Sequence, residues 1–278
     1  MKKDGPPWRL DMEGQIEKIQ EGCLGILRDI DRVCRQFHIE YSLCGGSVIG
    51  YHLYQGFIPW DDDIDLMMKR DQYDRFLKLY PEHSAPGYRL LHYDALGAVD
   101  VPTLFSRVEN MNEDVTETIA GSIRQGHVFI DITVFDTFPS GMRHKWLRLH
   151  TSYAYTLLYR QNGMVPGTLW KRILYRCIPS YRVESRVLDL YRKTEELCRN
   201  SSQKYPGGPY CAELLSAAYG GIIYRASVFN KYKNVTFSGV TTRLIADYRD
   251  YLYMRYGKRE FTRDIPESEK RKHINAEG

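Results

Sequence analysis

Asp61, Asp62, Asp63 and Asp65 crowd one short segment, about twenty residues after the small-residue run Gly45-Gly46-Ser47. Successive side chains of a strand alternate between its faces. On that reading Asp63 and Asp65 project from one face, while Ile64 and Leu66 project from the other into a core. Two carboxylates aimed at one spot raise each other's pKa unless a cation neutralises them, and their hard oxygens select Mg²⁺ or Mn²⁺ over softer metals. A helix entered through glycines presents unpaired N–H groups and a positive dipole end, so Gly45, Gly46 and Ser47 suit the phosphates of a nucleotide. Taken singly, Gly45-Gly46 also reads as a tight turn, and Asp61 and Asp62 as caps of a solvated loop. Together with a further carboxylate, Asp131, on a later strand, the set has the three points of positioning and charge neutralisation that phosphoryl transfer requires.

The elements that must position these groups are legible from periodicity. Ile16, Ile19, Cys23, Ile26, Leu27, Ile30, Val33, Cys34 and Phe37 recur at three- and four-residue steps, which predicts an amphipathic helix. Ile39 to Cys44 reads as a short strand that stops at Gly45-Gly46, followed by a helix over about 47–54 with Ser47 as its N-cap. A strand interrupted by Pro59 carries the aspartates over 57–68, and a helix follows over 71–80. The clearest strand is His127 to Phe135, where Val128, Ile130, Ile132 and Val134 alternate with Phe129, Asp131, Thr133 and Phe135. An unpaired charge inside such a run is costly, so Asp131 is expected to be paired, hydrogen-bonded or metal-bound. Two or three helices fit 143–198, and a last helix over 242–256 ends at Gly257.

The chain has 278 residues, 43% of them hydrophobic, enough for one sizeable core. Its 39 basic and 35 acidic residues leave a net charge of +4, too mild to indicate nucleic acid and compatible with an anionic small substrate. Six cysteines without a C-x-x-C pair suggest neither a zinc ribbon nor a disulfide framework. No apolar segment follows the basic N-terminus and no run reaches the roughly 18 apolar residues of a membrane span, so a cytoplasmic protein is expected.

The run GGSVIGYHLYQGFIPWDDDIDLMMKRDQYDRF resembles the signature of the LicD family of phosphotransferases, relatives of the fukutin-type enzymes. FIDITVFDTFP resembles the family's second acidic strand, with Asp131 at the metal position and Asp136 at a recurrent acidic one, and YLYMRYGKREF resembles its C-terminal Tyr-Gly segment, although Lys258 stands where the family often has Asp. The resemblance covers roughly 15–138 and 219–273. It implies an α/β (α+β) nucleotidyltransferase-like core, a small mixed sheet flanked by helices, in a single domain over 1–278 with a helical insertion at about 143–209. It further implies metal-dependent transfer of a phosphorylated alcohol, phosphocholine foremost, from a CDP-linked donor to a hydroxyl of a cell-surface glycan or its lipid-linked precursor, with release of CMP. Asp63, Asp65 and Asp131 would then be the metal-binding and catalytic set. Gly45, Gly46, Ser47, Asp61, Arg70, Arg107 and His273 would be the substrate-contacting residues. Transfer of glycerol phosphate or ribitol phosphate, nucleotidyl transfer on the same site, and a non-catalytic glycan- or nucleotide-binding relative stand as alternatives.

Basic and aromatic residues interleave from Arg143 to Arg176. Arg148, Lys171, Arg172 and Arg176 read either as a solvated helix face or as a weak attachment to anionic lipid at the inner face of the membrane.

Overall fold

The computed structural model describes residues 7–92, 104–119, 122–161, 187–216, 219–257 and 260–264, together with Ile173. The apolar stripe of the first segment builds helix α1 (Pro7–Gln36), which turns Cys23, Ile26, Leu27, Ile30 and Val33 wholly out of solvent. Each such side chain contributes about 1.5–3 kcal/mol of hydrophobic stabilisation. The remaining helices are α2 (Gly45–Tyr54), α3 (Arg70–His83), α4 (Gly141–Gln161), α5 (Val187–Lys204) and α6 (Tyr248–Tyr256).

The strands are β1 (Ser42–Leu43), β2 (Asp65–Lys69), β3 (Tyr88–Leu91), β4 (Ser106–Ile119), β5 (Ser122–Phe138), β6 (Tyr210–Ala212), β7 (Tyr224–Arg225), β8 (Tyr232–Phe237) and β9 (Val240–Ile245). The first seven form a mixed sheet in the order β1-β2-β5-β4-β3, and the far end of β5 also pairs with β6, which pairs with β7. Only the β2–β5 pair is parallel among these. The expected alternation of β5 holds: Val128, Ile130, Ile132 and Val134 are all buried, and the strand runs longer at both ends than the predicted 127–135. An α+β architecture with helices against a mixed sheet is therefore what forms.

Four local expectations are corrected. The strand over 39–44 shrinks to Ser42–Leu43. Ser47 is not an N-cap, because α2 already begins at Gly45 with Cys44 in the cap position, and the Ser47 hydroxyl instead accepts the Asp65 N–H at 2.9 Å. The strand over 57–68 is hydrogen-bonded only from Asp65 onward, which leaves Asp63 in the loop that feeds it. The helix over 242–256 splits. Val240, Thr242 and Leu244 alternate inward as β9 of a hairpin with β8, closed by Ser238 and Gly239 at positive φ, and only Tyr248–Tyr256 is helical. Gly257 does cap that helix, with φ 70° and its N–H on the Tyr253 carbonyl.

Within the expected insertion, α4 and α5 pack on each other and against β5, and residues 162–186 lie outside the described residues apart from Ile173. Two basic residues of α4 face inward rather than toward a surface. Buried His144 donates from Nε2 to the Gly220 carbonyl at 2.8 Å, and Arg148 donates to the carbonyls of Leu214 and Ser216 at 3.1 and 2.9 Å. Lys171, Arg172 and Arg176 lie outside the described residues. Cys23, Cys34, Cys44, Cys198 and Cys211 are free buried thiols, as the spacing suggests.

Arg70, at the head of α3, is the charged centre of the fold. It is 3% exposed and grips Asp136 of β5 with two bonds, Nε–Oδ1 at 2.8 Å and Nη2–Oδ2 at 2.9 Å, while Nη1 reaches Glu195 of α5 at 2.9 Å. Burial disfavours its charge, but Asp136, Glu195 and Asp74 outweigh that and hold its pKa well above the usual value. Removing one partner of a buried pair strands the other charges and costs about 3–5 kcal/mol. Arg70→Leu is accordingly expected to lower the unfolding free energy by about that much in urea titrations followed by circular dichroism; a loss below about 1 kcal/mol would show that the network is dispensable.

Candidate active site

The acidic segment is pinned before it reaches the sheet. Asp61 closes a tight turn onto the Ile58 carbonyl at 2.9 Å, and Gln20 of α1 donates to the Asp61 carbonyl at 2.7 Å. Carboxylate oxygens of Asp61, Asp62 and Asp63 come within 4.8 Å of one another. Ile64 and Leu66 are fully buried on either side of Asp65, so the inward–outward alternation read from sequence persists although the ladder begins late. Parallel pairing then sets Asp65 opposite Asp131 of β5, and antiparallel pairing sets Asp131 opposite Arg107 of β4. Arg107 donates from Nε to Asp131 Oδ1 at 3.1 Å, with its guanidinium 3.6 Å above the ring of Phe129.

The N-terminus of α2 closes over this row. A Cβ on Gly45, whose φ is +53°, would stand 2.7 Å from Asp65 Oδ2, and one on Gly46 would stand 3.3 Å from Asp61 Oδ2. The glycines therefore admit the carboxylates as well as the turn. Carboxylates at a helix N-terminus are favoured by its dipole. The Gly45 N–H is accepted by the Tyr251 hydroxyl at 2.9 Å, so the first-turn amides left to meet an anion are those of Gly46 and Ser47.

Although part of Asp65 remains accessible, its carboxylate is enclosed. Burial raises its pKa well above the ordinary carboxylate value, and the charges of Asp63, Asp131 and Asp61 raise it further against the opposing pull of Arg255. Like charges so placed, all on hard oxygen donors, fit a divalent cation such as Mg²⁺ or Mn²⁺.

Of the residues singled out from sequence, the fold brings Gly45, Gly46, Ser47, Asp61, Asp63, Asp65, Asp131 and Arg107 together. It does not bring Arg70, which sits past the other end of β2, about 16 Å along the strand from Asp65, inside the network with Asp136 and Glu195. His273 and Lys258 lie outside the described residues. Sequence reasoning missed Arg255 of α6. Its guanidinium stacks 3.6 Å from the ring of Tyr219, donates to Glu213 and to the Tyr224 hydroxyl, and lies 3.6 Å from where a Gly45 Cβ would be. The available signal was an arginine two residues before Gly257, between Met254 and Tyr256. A cavity of about 460 Å³ opens at the Lys69 end of β2, lined also by Phe135, Thr137 and Tyr210. It holds none of the candidate site residues.

Residues 38–156 match the LicD/FKTN/FKRP nucleotidyltransferase domain. The chain is 34% identical over 119 residues to the lipopolysaccharide cholinephosphotransferase LicD of Haemophilus influenzae, covering 42% of this chain and 43% of the relative. An uncharacterized protein of Rickettsia typhi is 28% identical over 67 residues, 24% of this chain and 22% of that protein. The chain thus matches less than half the length of either curated relative.

The crowding has a pH signature. A carboxyl whose folded pKa lies above its unfolded value of about 3.9 favours the fold below that value, and the contribution is lost as pH rises through the folded pKa. In EDTA, the stability difference between wild type and Asp65→Asn is expected to shift in favour of the variant as pH climbs from about 4 toward neutrality, read from paired urea midpoints. A variant less stable than wild type at neutral pH would instead mean that the charged carboxylate supports the fold.

Proposed function

We propose that this chain, whose residues 38–156 match the LicD/FKTN/FKRP nucleotidyltransferase domain, is a metal-dependent phosphotransferase. It moves a phosphorylated alcohol, phosphocholine foremost, from a CDP-linked donor to a hydroxyl of a glycan or lipid-linked glycan. The observation that carries this reading is the register that sets Asp65 against Asp131, with the Asp61–Asp63 cluster and the N-terminus of α2 around them. The name of the Haemophilus relative, a cholinephosphotransferase acting on lipopolysaccharide, supports phosphocholine and a glycan acceptor.

Asp63, Asp65 and Asp131 would hold a Mg²⁺ or Mn²⁺ ion, which would supply charge neutralisation for the phosphates of the donor. The amides of Gly46 and Ser47 receive donor phosphate oxygens at the positive end of α2. Asp131, held by Arg107, orients the acceptor hydroxyl and takes its proton as the new O–P bond forms and the bond to CMP breaks. Arg107, stacked on Phe129, fixes that carboxylate in one orientation.

Mass spectrometry of reactions with CDP-choline, CDP-glycerol and CDP-ribitol, scored for CMP, tests the reading and selects the donor. Mg²⁺-dependent CMP release is expected with CDP-choline, falling on the order of 10³-fold in Asp63→Asn and Asp65→Asn, since each loses several kcal/mol of charge stabilisation. Absence of Mg²⁺-dependent CMP release from all three donors would leave a binding protein in place of an enzyme.

A further inference from the structure

Helix α4 is apolar on both faces. Leu147, Thr151, Ala154 and Tyr155 are buried against the body of the protein. Opposite them Met142, Trp146, Leu149 and Tyr153 stand in solvent at 81, 40, 68 and 44% exposure. At 100° per residue these four fall within roughly 60° of arc, a single stripe about 16 Å long. One apolar residue on a surface is ordinary, but a contiguous row of four is the mark of an interaction site. At the start of the helix the row meets Ile223, also partly exposed, whose side chain ends 4.0 Å from where a Gly141 Cβ would be.

The surrounding charge names the partner. Arg143 and exposed Lys145 flank the stripe on its two shoulders, and the Arg143 guanidinium lies 4.4 Å from the Trp146 ring. From Thr137 through Val183 the sequence holds eight Lys and Arg and no Asp or Glu. Protein–protein interface cores are depleted in lysine and gain from charges of both signs. Trp, Leu, Met and Tyr between cations, in a stretch of sequence without acids, match a helix that lies in the headgroup layer of an anionic bilayer. Among the described residues no helix is long and apolar enough to cross a membrane, so the contact is one of lying on the surface.

We infer that the exposed face of α4 is a reversible docking surface for anionic lipid, seating Met142, Trp146, Leu149 and Tyr153 among the acyl chains while Arg143 and Lys145 meet the headgroups. The inference does not depend on the transfer reaction, since it rests on a different surface. For an enzyme that uses a lipid-linked acceptor it would hold the protein where that acceptor is found.

Flotation of the full chain with phosphatidylglycerol-rich or pure phosphatidylcholine vesicles tests this without any turnover readout. Wild type is expected to float with the anionic vesicles only. Trp146→Ala with Leu149→Ala is expected to weaken binding by more than about tenfold. Arg143→Glu with Lys145→Glu is expected to weaken it by about fivefold for each charge removed, and raised salt to do likewise. Trp146, Leu149 and Lys145 are exposed and Arg143 is half-buried, so thermal melting of each double variant is followed alongside, and the loss of binding counts only where the melting temperature is kept. The inference is overturned if wild type fails to bind anionic vesicles, or if either double variant binds as tightly as wild type. It is equally overturned if sedimentation shows a dimer that the Trp146/Leu149 variant dissolves, making a second copy the occupant.

Discussion

The parallel pairing of β2 with β5 is the constraint from which the site follows. It sets Asp65 beside Asp131 and Met68 beside Val134 in one register. Because side chains alternate with a period of two, a slip of β2 by one residue would move Asp65 to the opposite face from Asp131 and turn the buried Leu66 outward. The apolar core therefore enforces the acidic alignment: hydrophobic burial, worth about 1.5–3 kcal/mol per side chain, fixes a register in which like charges face each other. The repulsion is tolerated because it sits at one end of β2, beside the N-terminus of a helix and near two arginines, Arg107 and Arg255.

Two groups of charge divide the labour along the same pair of strands. At one end, carboxylates are in excess and crowd Asp65 until its ionisation is disfavoured. At the other, Arg70 answers Asp136 and Glu195 with bonds of 2.8 to 2.9 Å, with Asp74 at 3.5 Å, and ties α3 and α5 to β5. The Arg70 network is structural. The carboxylate end carries an excess of negative charge of the kind that suits a divalent cation. Closure of the site also draws on the C-terminal helix, since Tyr251 holds the Gly45 amide and Arg255 stacks behind it.

Much of this was legible from sequence where periodicity and core coincide. The stripe of α1 and the alternation of β5 read correctly because each is a local pattern with one buried face, whereas α2 begins two residues before the helix read from sequence. The hairpin of β8 and β9 was misread because Leu244, Ile245 and Tyr248 happen to recur at helical steps while Val240, Thr242 and Leu244 actually alternate. Strand β4 carried no signal, since Arg107, Glu109 and Asn110 are polar yet buried in it, and their partners lie on neighbouring strands. Arg70 was assigned to substrate because nothing local reveals that Glu195, 125 residues away, and Asp136 enclose it. Arg255 was missed for the same reason: its relation to Gly45 exists only after the chain ends are brought together.

The central claim is that the carboxylates gathered by the β2–β5 register are a divalent-cation site. Anomalous diffraction from crystals soaked in Mn²⁺ tests it directly. The account expects a single strong peak about 2.1 Å from carboxylate oxygens of Asp65 and of Asp63 or Asp131, lost in Asp65→Asn crystals. A peak elsewhere, or no peak at these carboxylates, would contradict it.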